Sequence, residues 1–408
     1  MTKPESSFDI IVYGATSFVG KIIVEYLSIS ANKTNEAPLR WAIAGRSEAK
    51  LLTLKKVLDL DKIEHFIADA NDEVALRALA ERSKVIMTTV GPYALYGETL
   101  VKVCATTGTD YCDLTGEPQW IARMLEKYEP LAKQSGARMI HSAGFDSIPS
   151  DIGVYVSQNK AIELTGKPAS HIKMRVRKIK GAASGGTIAS MLNVFKEAKE
   201  NPALRKVLVN PYVLCPTGHG FKARQKNHKK AEFDKDLAIW TMPFVMAAIN
   251  ERIVHRTNAL LDNQYGNDFK YDEAMSAKTG LQAWIFTLGL GSFVLAASIS
   301  PLRKFLANYV LPKSGEGPSP KAQLEGMYDM RFYADLSNGH QLVVKVEGDR
   351  DPGYGSTAKI LSQVAICLAK DVPNLKGGCW TPVSGLKDSL IKRLERHAGV
   401  SVNVISAK

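Results

Sequence analysis

Three small residues at intervals of three, Gly14, Ser17 and Gly20, punctuate the stretch DIIVYGATSFVGKIIVEYL (residues 9–27), between a β-branched run and an amphipathic one. A tight strand-to-helix turn asks for this pattern. The first glycine bends the chain, the middle position lets an anion approach the backbone, and the last lets the helix pack on the strand. N–H groups opening the helix then point at a pyrophosphate. The expected cofactor contacts are Gly14, Thr16, Ser17, Phe18, Val19 and Gly20. Ser17 stands where glycine is usual, and its hydroxyl either donates to a phosphate oxygen or caps the helix.

Further along, AGRS places Arg46 and Ser47 where an NAD-binding domain carries an acid for the ribose hydroxyls. A cation there suits the 2′-phosphate of NADP; the plain alternative is a surface arginine. Asp69 either accepts from the adenine amino group or caps a loop. Val90 and Gly91, in VGPY, fall beside the expected nicotinamide ribose. Tyr93 and Tyr96 follow, with hydroxyls that either donate to a substrate oxygen or pack under a loop. AGFDSIPSD (143–151) brings Asp146, Ser147 and Asp151 to the carboxyl edge of a strand, where ligands of open α/β sheets lie. There Ser147 and nearby N–H groups polarise a carbonyl while Asp146 orients them, or the residues cap the helix beginning near Pro149. His141 reads as a hydrogen-bonded core residue, and SGGT (184–187) as a helix start rather than an anion site.

These residues need a frame. From residue 8 to about 150, short apolar runs (FDIIVYG, LRWAIAG, IEHFIAD, KVIMTTVG, DYCDLTG, ARMIHSAG) alternate with amphipathic stretches, the pattern of a Rossmann-type, doubly wound parallel sheet. Residues 1–150 form the expected NADP-binding domain, and 151–352 an α+β substrate domain with a largely antiparallel sheet. In HIKMRVRKIKG (171–181), Ile172, Met174 and Val176 share one face, and Lys173, Arg175 and Arg177 the other, which predicts one apolar and one wet face. Asn338-Gly339 marks a hairpin turn. Residues 353–408, two helices and a last short strand, VNVIS, are expected to return to the Rossmann domain. Residues 279–302 carry no charge and are flanked by Lys278 and by Arg303-Lys304, so the segment suits either a peripheral membrane contact or a buried or subunit-interface helix.

At 408 residues the chain is long enough for two cores. A net charge of +12 favours an acidic partner such as a cofactor phosphate, an anionic membrane surface or a carrier protein. Nucleic acid is not expected, because no binding motif appears and the one basic run, FKARQKNHKK (221–230), reads as a solvated loop. Five cysteines without a CxxC pair or metal spacing fit a reducing compartment. With no signal-peptide pattern in MTKPESSFDIIVYG, a cytoplasmic location is expected, with membrane association through 279–302.

GATSFVGK, AGRS, TTVGPYALYGETLV, GTDYCDLTGE, GFDSIPSDIGVY, NALLDNQYGNDFKYDEAMS and GEGPSPKAQLEG together resemble the saccharopine dehydrogenase-like oxidoreductases, from about residue 8 to the C-terminus. Within that group the chain is most similar to the trans-acting enoyl reductases of bacterial polyketide-lipid synthesis. Ser17 departs from the many members with glycine there. The resemblance implies NADPH as hydride donor and a lipid-like or carrier-bound acyl substrate, an unsaturated thioester on the acyl-carrier domain of a polyketide synthase. Enoyl reduction needs donors at the developing enolate oxygen and a proton for the α carbon, for which Tyr93, Tyr96, Asp146 and Ser147 are the candidates. Two alternatives stand beside it: a saccharopine dehydrogenase-like amino-acid oxidoreductase, and a non-catalytic nucleotide-binding protein at a membrane or lipid droplet.

Overall fold

Ile10 and Val12 of the first strand enter one hydrophobic core while Ile11 and Tyr13 enter another, so the sheet they begin is covered on both faces. The computed structural model describes residues 6–30, 37–181, 185–306, 309 and 317–407. In chain order the first half runs β1 (Phe8–Tyr13), α1 (Phe18–Ser30), β2 (Trp41–Gly45), α2 (Glu48–Val57), β3 (His65–Ile67), α3 (Glu73–Arg82), β4 (Ser83–Thr88), α4 (Tyr93–Tyr96), α5 (Glu98–Thr107), β5 (Asp110–Cys112), α6 (Pro118–Ser135), β6 (Arg138–Ile140), α7 (Ile148–Thr165), β7 (His171–Lys180), α8 (Gly185–Glu200) and α9 (Ala203–Val209). The rest comprises β8 (Glu232–Asp234), β9 (Ile239–Met242), α10 (Ala247–Leu260), β10 (Lys270–Ala277), α11 (Gly280–Ser298), α12 (Ser300–Phe305), α13 (Pro320–Leu324), β11 (Met327–Asp335), β12 (Gln341–Gly348), α14 (Thr357–Lys370), β13 (Gly378–Trp380), α15 (Pro382–Arg393) and β14 (Val400–Ala407).

The first sheet is parallel and seven-stranded, in the order β13-β6-β5-β4-β1-β2-β3. The strand order reverses between β1 and β4, which opens a crevice at their carboxyl ends where such sheets take their ligands. Strand β13, which the apolar-run pattern does not pick out, completes this sheet from the C-terminal part of the chain.

The second sheet, β14-β12-β11-β7-β10-β9-β8, is antiparallel except for the β7–β10 pair. Its β11–β12 hairpin turns at Asn338-Gly339, where Gly339 takes a positive φ of 84°. Ile172, Met174 and Val176 are buried, as their alternation requires, but the opposite face of β7 is not wet throughout. Arg175 is 1% exposed and bonds to Asp234 and Asp272, while Lys173 pairs with Asp236. The basic run 221–230 is mostly solvated, yet it helps cover that face by burying His228, whose Nε2 lies 2.7 Å from Asp272.

The C-terminal part divides between the sheets. Helix α14 packs against α1, β1, β4 and β5, but the last strand, β14, pairs with β12 at the edge of the second sheet. The expectation that VNVIS returns to the nucleotide-binding unit is thereby corrected. Nothing in a short apolar strand names the edge it joins, and here the free edge of β12 supplied the ladder partners.

Helix α11 spans most of the uncharged segment, with Thr279 as its N-cap. Among its described residues only Ala283 and Ala297 are buried. Leu281, Ile285, Leu288 and Leu295 are 72%, 63%, 64% and 65% exposed, which rules out a helix wrapped in this chain's own core.

Candidate active site at the parallel sheet edge

The turn after β1 is built closely. Gly14 has φ +87°, and a Cβ there would stand 2.8 Å from both Thr89 Oγ1 and Val90 Cγ2. A Cβ on Gly20 would meet the Gly14 carbonyl at 2.2 Å. Between them the Ser17 hydroxyl accepts from Gly20 N (2.9 Å) and lies 2.8 Å from Thr89 Oγ1. Thr89 donates its own proton to the Gly14 carbonyl (3.0 Å), so Ser17 is the donor of that pair. Of its two readings, the helix cap is the one this geometry realises, and the proton is committed to Thr89. The serine thus ties the turn to the end of β4.

Arg46 is exposed and has no ion-pair partner among the described residues. Ser47 is the N-cap residue of α2, but its side chain makes no capping bond. Asp69, also exposed, accepts from Asn71 N and Nδ2 and so closes its own loop. These side chains and the glycine-lined turn fit a dinucleotide with a phosphate at the adenosine ribose.

Glu117 and Asp113, which spacing alone did not single out, organise the ends of β4 to β6. Glu117 accepts from Tyr93 N and Ala94 N at the start of α4 and from Ser190 of α8, and burial raises its pKa. Asp113 accepts from the Tyr111 hydroxyl, Thr115 N, Ser142 N and His141 Nδ1. His141 is accordingly a core residue. The only hint of either hub was an acid inside the apolar run DYCDLTGE.

Tyr93 is buried; its hydroxyl donates to the Thr88 carbonyl and accepts from Leu114 N. Burial first, then the nearby Asp113 carboxylate, pushes that hydroxyl well above its usual range, with Glu117 and Asp146 adding to it. Tyr96 is exposed on the same short helix. Val90 N bonds to Thr88 Oγ1, and Gly91 is exposed beside it.

Past β6, Phe145 N donates to Thr357 Oγ1, and the Phe145 ring packs edge-on to Tyr328. Ser147 is fully buried and donates to Asn250 Oδ1 (3.1 Å), so its hydroxyl is not turned to a substrate. Asp151 is buried too, accepting from the Thr257 hydroxyl and Val383 N. Asp146 differs from both. It is partly exposed, has no hydrogen-bond or ion-pair partner among the described residues, and burial pushes its pKa up to about 6. The SGGT segment lies outside the described residues at Ser184, and its other side chains are not described.

Residues 10–140 match the saccharopine dehydrogenase NADP binding domain. A trans-acting enoyl reductase of Mycobacterium tuberculosis is 35% identical over 97% of both chains, and one of Mycobacterium leprae 33% identical over 98% of this chain and 99% of its own. Another M. tuberculosis protein, provisionally named for the same activity, is 38% identical over 98% of both. This chain belongs to the trans-acting enoyl reductase family of saccharopine dehydrogenase-like oxidoreductases. Its fold is that of yeast (Saccharomyces cerevisiae) saccharopine dehydrogenase (L-Glu forming), with a TM-score of 0.55 at 10% identity over 98% of this chain and 100% of that one. Membership of this family makes it an oxidoreductase that uses a nicotinamide cofactor.

Proposed function

We propose that this oxidoreductase uses NADPH to reduce the carbon–carbon double bond of an α,β-unsaturated acyl thioester, brought in trans on a carrier domain of a polyketide synthase. The observation that carries this reading is the presence, at one sheet edge, of a closely built dinucleotide turn and a carboxyl group, Asp146, without a partner among the described residues. When bound, the nicotinamide supplies a hydride to the β carbon. The turn from Gly14 to Gly20 holds the pyrophosphate, and Arg46 with Ser47 holds the 2′-phosphate. Asp146, with a pKa near 6, keeps a protonated fraction near neutral pH and gives the α carbon its proton. The names of the relatives support the enoyl chemistry, and a net charge of +12 suits an acidic carrier. The exposed apolar residues of α11 support a peripheral membrane contact close to where long acyl chains reside.

Cofactor consumption with carrier-bound and CoA-bound enoyl thioesters tests the proposal. NADPH oxidation is expected, weakened in Asp146→Asn. Arg46→Ala should weaken NADPH about ten- to hundredfold, since a phosphate ion pair contributes roughly 1–3 kcal/mol, and leave NADH nearly unchanged. Turnover of an amino acid instead, or NADPH binding with no turnover of any thioester, would replace this reading with one of its two rivals.

A further inference from the structure

We infer that Asn250 and Glu273, both far from the parallel sheet in sequence, are positioning residues for the turn that carries Asp146. The inference rests on the reading of Asp146 as the proton donor. A single chain of hydrogen bonds runs from the second sheet to that turn. Tyr271 donates its hydroxyl to Glu273 Oε1 (2.6 Å), Asn250 Nδ2 donates to Glu273 Oε2 (2.9 Å), and Ser147 donates to Asn250 Oδ1 (3.1 Å). All four side chains are buried. Tyr271 and Glu273 are two apart on β10 and so share the face towards α10, whereas Asp272 between them faces Arg175.

The chemistry of each partner sets the direction of every link. When ionised, the Glu273 carboxylate only accepts, so it draws the amide nitrogen of Asn250 and turns the amide oxygen to Ser147. That oxygen leaves Ser147 only the role of donor. With Glu273 ionised, reversing any one link would set donor against donor or leave a buried polar atom unpaired, so that state has one arrangement.

Asp146 sits between two such anchors. On one side Phe145 N is held by Thr357 Oγ1 (2.9 Å), and on the other Ser147 is held by Asn250. The carboxyl itself makes no hydrogen bond to Thr357 or Asn250. Its placement is thus fixed by residues of α10, β10 and α14 rather than by its own contacts. A group that must reach one carbon of a bound substrate needs its support locked to within a fraction of an ångström.

Glu273 serves as an acceptor, not as a charge. Glu251 accepts from Glu273 N, and burial together with the nearby Asp272 charge raises the Glu273 pKa, an environment in which a neutral side chain of the same shape fits as well. Glu273→Gln therefore keeps an acceptor for Asn250, while Glu273→Leu and Asn250→Leu remove the link. Ser147→Ala cuts only the last bond and leaves the buried core of α10 and β10 intact.

The test combines backbone amide exchange with turnover in the full-length protein. In Ser147→Ala and Asn250→Leu, amides 145–148 are expected to exchange at least tenfold faster, with the amides of β7 and β11 unchanged. kcat for the enoyl thioester should fall at least tenfold while NADPH affinity stays within twofold, and Glu273→Gln should retain most of both properties where Glu273→Leu does not. In deuterated water with an α-methyl enoyl substrate, the two link-cutting variants should lose stereochemical control at the α carbon and keep it at the β carbon. Unchanged exchange at 145–148 in Ser147→Ala overturns the inference, as does a loss of NADPH affinity as large as the loss of kcat. A wild-type enzyme that reduces no thioester defeats the proposed function instead, and the exchange rates at 145–148 then decide the tether on their own.

Discussion

Ser17 shows how one substitution in a glycine pattern can be structural without harming the site. Its hydroxyl caps α1 through Gly20 N and reaches Thr89, which in turn holds the Gly14 carbonyl. Replacing it with glycine widens the approach to the backbone but releases the turn from β4. Ser17→Gly is expected to keep NADPH affinity within about threefold while lowering stability by roughly 1 kcal/mol, the worth of one hydrogen bond and a weakened cap. A double-mutant cycle with Ser17→Ala and Thr89→Val should give a coupling of about 0.5–1.5 kcal/mol in denaturant unfolding. A tenfold loss of affinity at unchanged stability would mean that the hydroxyl is a phosphate ligand after all.

Two helices invert the usual distribution of side chains. In α10, Asn250, Glu251, Arg252, His255, Arg256, Thr257 and Asn258 are all buried, and several bond across elements: Arg256 to the Leu214 and Cys379 carbonyls, Thr257 to Asp151 and Thr381. Helix α11 is apolar on every side and exposed on most of it. At about 1.5 Å per residue it is nearly as long as a bilayer's hydrocarbon core is thick. Leu288→Arg, at an exposed position, should leave folding and NADPH binding intact and reduce cosedimentation with anionic liposomes at least tenfold. An arginine at depth costs about 2.5–3.5 kcal/mol on insertion scales. Loss of folded protein in the absence of lipid would place the helix in a protein interface, and unchanged cosedimentation would remove the membrane reading.

Across the whole molecule, burial raises the pKa of several carboxyl groups. Asp151 and Glu273 are each raised to about 7, and Glu251 is raised as well. A raised folded-state pKa means that the native chain keeps protons the unfolded chain has released, so this contribution is complete in acid and is lost as pH rises through about 7. Each group accounts for up to about 1.4 kcal/mol per pH unit inside that window. His255, buried and lowered to about 3, acts the other way: it stays neutral when folded, and the unfolded chain gains its proton below about pH 6.5. The Tm is therefore expected to rise as pH falls from about 7 to about 5, because the three raised carboxyl groups outweigh the one histidine. Glu273→Gln should flatten that rise. A Tm that falls steadily from about pH 7 to about pH 5 would contradict this assignment.

Local chemistry made the nucleotide-binding unit legible in the amino-acid order. The alternation of apolar runs with amphipathic stretches specifies a parallel sheet, Gly14 and Gly20 specify the turn, and the lack of charge over 279–302 specifies a helix suited to an apolar environment. Each is a short-range property, set by backbone sterics and periodicity within a few residues. What depends on contacts across a hundred residues or more was settled only in three dimensions. Lys173 and Arg175 alternate as solvent-facing residues do, yet they are covered because Asp234, Asp236 and Asp272 arrive from distant segments to pair with them. Strand β14 found its partner on the second sheet, and Ser147, placed by its motif near the reacting atoms, is turned inward by Asn250. The sequence could thus name the polar residues of the site, but whether each hydroxyl or carboxyl meets solvent or a buried partner follows from packing, because burying an unpaired polar group is costly enough to decide which way it turns.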